Sequence, residues 1–187
     1  GKSFIRFGDG EARILMKRDI PRQPWHRELQ STLLEMVRNY SSRSPYVLGV
    51  AFAQLTASES SFNEEGIGVW RLYRLVFRVC FPKATTYGDA FVFYDNRYMR
   101  EKLAPVLKDR KIICVTNRRN MDAETYRYLV SVFLSVTFVY TKNWDAFSEY
   151  DDIRARVAAL VGDSVSHEML VLLACGPAGK AVGYHLS

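Results

Sequence analysis

Six short apolar segments alternate along this chain with stretches of helical periodicity, and the alternation leaves few folds open. Residues 3–7, 46–50, 84–87, 111–115, 136–140 and 169–174 read as strands. Between them, residues 24–39, 65–79, 96–107, 123–134, 150–160 and 179–186 carry helical patterns, and a further helix begins at Glu11 and runs toward Lys17. Strands separated by helices cannot pair through hairpins. They predict an α/β fold with a mainly parallel sheet, helices on both faces, and a ligand site built from loops at the carboxyl ends of the strands. The polar stretches 40–44 and 54–63 read as loops or a short lid within one domain.

With 187 residues, 48% of them hydrophobic and 25% charged, the chain can bury one substantial core and is excluded from the disordered class. Its most apolar stretch, residues 129–140, is too short to span a membrane and is interrupted by Ser131, Ser135 and Thr137. Cys80, Cys114 and Cys175 are widely spaced in apolar runs, which fits buried thiols in a reducing compartment better than a zinc or disulfide framework. A formal net charge of +6 suits an anionic partner such as a nucleotide, a lipid phosphate or a nucleic acid. The basic residues are dispersed among acids, with pairs at Lys17-Arg18 and Arg118-Arg119, rather than gathered in a nucleic-acid-binding tail. No leader pattern precedes the first strand, two residues after Gly1, so the chain reads as a mature or excised piece of a longer protein.

Three loops that follow predicted strands carry the chemistry. In Phe4-Ile5-Arg6-Phe7-Gly8-Asp9-Gly10-Glu11, two carboxylates sit among small residues where a strand gives way to a helix. Asp9 and Glu11 there would offer hard oxygen ligands to a divalent cation, leaving positions open for phosphates. Helix capping by Asp9 and a favourable dipole interaction at Glu11 would account for the same residues. In Thr116-Asn117-Arg118-Arg119-Asn120, either arginine could clamp a diphosphate through its planar fork, or the loop could be solvated, with Asn120 or Asp122 capping the next helix. In Gly176-Pro177-Ala178-Gly179-Lys180, the glycines permit close backbone approach and Lys180 could meet phosphate charge. That segment satisfies neither the Walker pattern nor GxGxxG, and a tight strand-to-helix turn explains it equally well. Tyr87-Gly88-Asp89 and Tyr94-Asp95-Asn96-Arg97-Tyr98 add hydroxyls and carboxylates suited to a sugar, though turn formation and capping also use such residues.

The first of these motifs resembles the opening of the GT-D fold glycosyltransferases, a bacterial family with a Rossmann-like sheet and an Asp-x-Glu pair. The stretch Leu173-Ala174-Cys175-Gly176-Pro177-Ala178-Gly179-Lys180-Ala181 is similar to the family's late strand, Gly-Pro turn and helix, and the segment from Tyr87 to Val115 to its Tyr/Asp-rich stretch, helix and strand. Two departures stand out. Thr116-Asn117-Arg118-Arg119-Asn120 replaces a glycine-rich loop containing Ser-Arg, and the chain ends at Ser187, where family members continue into a segment with a histidine and acids. His185 reads as a packed or exposed histidine rather than a substitute ligand.

The resemblance implies a metal-dependent hexosyltransferase that moves a sugar from a nucleotide-diphosphate donor, expected to be a UDP-sugar, to a hydroxyl of a glycan or glycoconjugate. Asp9 and Glu11 would bind Mn2+ or Mg2+. Arg6, Gly8, Asp9, Gly10, Glu11, Asn117, Arg118, Gly176, Pro177, Ala178, Gly179 and Lys180 would meet the nucleotide sugar, with Arg119 a further countercharge. Asp89 and Asp95 are weak candidates for the catalytic base. No nucleic-acid partner and no transmembrane segment are expected, and the location would be cytoplasmic, extending to the inner face of the membrane. The competing readings are a non-catalytic nucleotide- or nucleic-acid-binding module, which would bind without metal, and a phosphohydrolase with Asp9 as nucleophile, for which Glu11 stands where a second aspartate is usual.

Overall fold

The computed structural model describes residues 2–61, 64–83, 85–92, 96–98, 101–102, 104–162 and 169–187. The chain divides into two compact units, Lys2–Phe91 and Val92–Leu186. Each holds a three-stranded sheet in which every pairing is parallel, as the alternation of strands and helices predicts.

In the first unit, β1 (Ser3–Arg6) is followed by α1 (Asp9–Leu15) and α2 (Arg27–Arg38). Then come β2 (Tyr46–Val50), α3 (Phe52–Thr56), α4 (Glu64–Cys80) and β3 (Gly88–Asp89). β2 lies in the middle of the sheet, with Arg6 opposite Gly49 and Gly49 opposite Gly88. Leu29, Leu33, Met36 and Val37 of α2 recur at the spacing of one helical stripe, and all four are fully buried. They share the core with Ile5, Phe7, Ile14, Leu48, Val50, Tyr73 and Val76. Side chains of successive strand residues point to opposite faces. Phe4 and Arg6 therefore lie on the face away from Ile5 and Phe7. A Cβ at Gly49 would stand 2.9 Å from Phe4 Cε1, and one at Gly88 2.7 Å from Phe4 Cε2. The aromatic ring thus fills the space that side chains on β2 and β3 would occupy.

In the second unit, two short helical stretches, α5 (Asn96–Tyr98) and α6 (Ala104–Leu107), precede β4 (Lys111–Asn117). The chain continues through α7 (Ala123–Val132), β5 (Ser135–Thr141), α8 (Tyr150–Val161), β6 (Met169–Ala174) and α9 (Gly176–His185). β4 is central, and residues 112–117 are buried on both faces, the condition that produces an unbroken apolar run. Ile113, Val115 and Val139 pack with Ile153 and Val157 of α8 and with Ala178 and Val182 of α9. On the opposite face of β5, Phe138 stacks with Tyr140 and with Tyr126 of α7.

Several boundaries differ from those the sequence predicts. The third strand is Gly88–Asp89, not 84–87, of which Ala84 lies outside the described residues. Its pairing consists only of Gly49 with Gly88 and Val50 with Asp89. The segment predicted as a loop after β2 contains α3 and a 3-10 turn, Glu59–Ser61. The last helix starts three residues early, at Gly176, because Pro177 needs no amide partner in a first turn and brings its own helical φ.

Gly179 shows why α9 can lie so close to β6. A Cβ there would stand 3.0 Å from Cys175 Sγ, 3.2 Å from Leu173 Cβ and 3.3 Å from the Leu173 carbonyl oxygen. Gly179→Ala gains about 1 kcal/mol of helix propensity. It also overpacks this contact, at a cost of about 1–3 kcal/mol. The expected net result is a loss of about 1 kcal/mol, read as a lower urea midpoint at unchanged slope; a raised midpoint would show that α9 shifts freely.

Candidate functional site

The first unit builds its carboxylate pair from the way β1 ends. After Arg6 the chain leaves the sheet with one last ladder bond, from Phe7 N–H to the Gly49 carbonyl at 2.8 Å. Gly8 is extended and precedes the first turn of α1, in which Asp9 is the first residue and Glu11 the third. Glu11 folds back so that its Oε2 accepts the Gly8 N–H at 2.8 Å, and it is buried, at 6% exposure. This satisfies an amide that the helix itself cannot. Asp9 is half-buried.

Positions two apart on a helix do not face each other, so sequence spacing alone does not bring these carboxylates together. A shared neighbour relates them. Tyr73 of α4 is 1% exposed, and its hydroxyl donates to the Phe7 carbonyl at 3.1 Å and accepts the Ala51 N–H at 2.9 Å. Burial pushes this phenol up to about 12; the Ala51 amide opposes the rise, the Glu11 and Asp9 charges add to it, and Arg6 opposes it. Two carboxylates and one guanidinium therefore lie within electrostatic reach of one buried hydroxyl at the carboxyl ends of β1 and β2. The Arg6 guanidinium also lies 5.7 Å from the centre of the Phe91 ring. Tyr73 was not foreseen from the sequence, where it reads only as one apolar position in a helical stripe.

Asp89 ends β3 at the same edge of this sheet. It is exposed, and its Oδ1 accepts the Phe91 N–H at 2.9 Å, which makes a local turn. Asp95 lies outside the described residues. Among the described residues, no group of three or more His, Cys, Asp or Glu side chains is arranged to hold a metal ion. Asp9 and Glu11 carry hard carboxylate oxygens, however. Their chemistry fits Mg2+ or Mn2+ bound through one or two carboxylates, with other positions left to phosphate oxygens and water.

In the second unit, Thr116 of β4 pairs with Ala174 of β6, so the loops after these strands leave the sheet side by side at its carboxyl edge. Asn117 is buried and caps the turn Arg118–Asn120, its Oδ1 accepting the Asn120 N–H at 3.1 Å. Arg118 and Arg119 are exposed, and the Arg118 guanidinium sits 4.8 Å from the centre of the Tyr140 ring. Asp122, not Asn120, caps α7, through the Thr125 N–H at 2.7 Å.

The glycine-rich turn divides by role. Pro177, Ala178 and Gly179 are buried against β6, while Gly176, at φ +65, is exposed with open space around its would-be Cβ. Only glycine takes that backbone conformation without strain. Lys180 is half-buried, and its charge partly offsets the burial that pushes the Cys175 thiol up to about 11. All three cysteines are free thiols. His185 is exposed, with Nδ1 2.6 Å from the Tyr150 hydroxyl and 3.0 Å from the Ala181 carbonyl oxygen. The residues singled out in sequence thus group as Arg6, Gly8, Asp9, Gly10, Glu11 and Asp89 in the first unit. Asn117, Arg118, Arg119, residues 176–180 and His185 belong to the second.

Parallel α/β sheets with charged residues in the loops at their carboxyl edges define a class of proteins that bind ligands at those edges. Within that class, the chain belongs to the glycosyltransferase GT-D fold family, whose match extends over residues 4–187. It is therefore a glycosyltransferase. Its fold is similar to that of a structure described as "The highly conserved domain of unknown function 1792 has a distinct glycosyltransferase fold". The TM-score is 0.76 at 20% identity, covering 99% of this chain and 68% of that one. It is also similar to "A New Glycosyltransferase (DUF1792) from Streptococcus sanguinis", with a TM-score of 0.76 at 19% identity, over 100% of this chain and 71% of that one. No curated protein matches.

The two carboxylates should separate in a stability measurement. Glu11→Ala leaves a buried amide without its acceptor and is expected to cost about 1–2 kcal/mol. Asp9→Ala, which removes a half-exposed group, should cost less than about 0.5 kcal/mol. Urea denaturation of both variants checks this, and equal losses would mean that Glu11 does not hold the turn.

Proposed function

We propose that this glycosyltransferase is metal-dependent and moves a hexose from a UDP-sugar to a hydroxyl of a glycan or glycoconjugate acceptor. The observation that carries the reading is the placing of Asp9 and Glu11 in the first turn of the helix that follows β1, next to the strand end that carries Arg6. In the reaction the bond between the anomeric carbon and the phosphate oxygen breaks, and its electron pair leaves with the nucleoside diphosphate. A bond from the acceptor oxygen to the anomeric carbon forms, and the hydroxyl proton passes to a base. A divalent cation, when bound, would neutralise charge on the departing diphosphate.

Asp9 and Glu11 would hold that cation. Gly8 N–H orients Glu11, and Arg6 supplies positive charge at the same strand end. Asp89, exposed at the carboxyl edge of this sheet, is the candidate base among the described residues. In the second unit, Arg118, Arg119 and Lys180 are candidate contacts for phosphate, and Gly176 offers open backbone. Pro177, Ala178 and Gly179 would act indirectly, by seating α9. A donor of this kind fits work in the cytoplasm or at the inner face of the membrane; no helix among the described residues is long and apolar enough to cross a membrane.

The test is calorimetric titration of UDP with and without Mn2+. Binding should tighten at least tenfold with the ion, and Asp9→Ala should remove that gain while circular dichroism stays unchanged. Metal-independent binding would instead support a nucleotide-binding module without catalysis. Unchanged metal-dependent affinity in Asp9→Ala would leave Asp9 as a helix-start residue only.

A further inference from the structure

We propose that Tyr73 is a positioning residue for the cation site, acting through the single peptide plane that joins Phe7 to Gly8. The inference rests on the reading of Asp9 and Glu11 as cation ligands. The carbonyl of that peptide accepts the Tyr73 hydroxyl at 3.1 Å, and its N–H donates to Glu11 Oε2 at 2.8 Å. A trans peptide is rigid and presents its C=O and N–H in opposite directions, so a bond that fixes one end fixes the aim of the other. Hydrogen bonding at the carbonyl also polarises the N–H and strengthens its hold on the carboxylate.

The plane is anchored from outside α1. Tyr73 comes from α4, is fully buried, and takes its own second bond from the Ala51 N–H at the end of β2. The ring is held edge-on by Trp70, with centroids 5.6 Å apart. Phe7 N–H is tied to Gly49 in turn. The direction of the Glu11 carboxylate is therefore set by strand ends and a neighbouring helix before any ligand arrives, the kind of support that ligating carboxylates need from the groups behind them. Asp9 and Arg6 lie within electrostatic reach of the same hydroxyl, so a shift of this peptide would disturb the whole charge cluster.

Tyr73→Phe removes the hydroxyl and keeps the ring. Val76→Ala, at a buried position on the same helix whose side chain carries no hydrogen-bonding atom, serves as a control for general destabilisation. Two quantities are read in each variant: hydrogen exchange of the Gly8 amide in the metal-free protein, and the Mn2+-dependent gain in UDP affinity by calorimetry. Tyr73→Phe should speed Gly8 exchange at least tenfold relative to the global opening rate and cut the Mn2+-dependent gain about tenfold. Val76→Ala should leave both unchanged after correction for its lower melting temperature. If the two variants lose affinity in proportion to stability, or if Tyr73→Phe changes both readouts by less than twofold, Tyr73 is ordinary core and the inference is wrong. Asp9→Ala measured alongside separates the layers. If it abolishes the Mn2+ gain while Tyr73→Phe changes that gain by less than twofold, the positioning role falls and the cation site stands; if it changes nothing, both fall.

Discussion

Every backbone polar group that leaves a buried parallel sheet must find a new partner, and the end of β1 meets this demand at its most crowded point. Phe7 and Gly8 pass from ladder to helix within two residues. Three separate elements satisfy them: β2 through the Gly49 carbonyl, α4 through the Tyr73 hydroxyl, and α1 through Glu11. The turn that results is determined from all sides. A glutamate at the third helical position is ordinary capping chemistry, but here the cap is buried and lies in the charged cluster at the sheet's edge. One Glu11 oxygen holds the turn, so the side chain proposed as a ligand is also the one that closes the backbone account at this strand end.

The parallel topology was legible in the sequence because burial on both faces leaves a plain mark. The apolar runs Tyr46–Val50 and Met169–Ala174 have the strand bounds that their residues predict, and β4, buried along residues 112–117, extends the run at 111–115 only into the polar Thr116 and Asn117. What escaped reading was built from residues without a pattern of their own. β3 is a glycine and an aspartate, paired because β2 offers a free edge, and no propensity announces it. The opening of α9 consists of Gly, Pro, Ala and Gly, which read as a turn until packing against Leu173 supplies the reason for the small residues.

The candidate site was legible by the same rule. Asp9 and Glu11 stand in a compact local motif and could be picked out directly. The unequal roles of the two carboxylates could not, since only the fold shows that Glu11 is buried and Asp9 half-exposed. Tyr73 reaches Phe7 across 66 positions of sequence, so its part depends on tertiary packing that no local window contains. Likewise, Asn117 reads as a polar ligand candidate in the chain, yet burial and its bond to Asn120 give it a structural task.

The ring of Phe4 lying across Gly49 and Gly88 has an evolutionary consequence. Three positions far apart in sequence share one volume, so none of them can drift alone. While an aromatic ring occupies position 4, a methyl group on either glycine intrudes on it; once position 4 shrinks, both glycines are released together and side chains can return to β2 and β3. The order of substitutions is therefore constrained. Divergent members of the family that carry a side chain at either glycine position should have lost the aromatic residue first, leaving these sites correlated although they lie on three different strands.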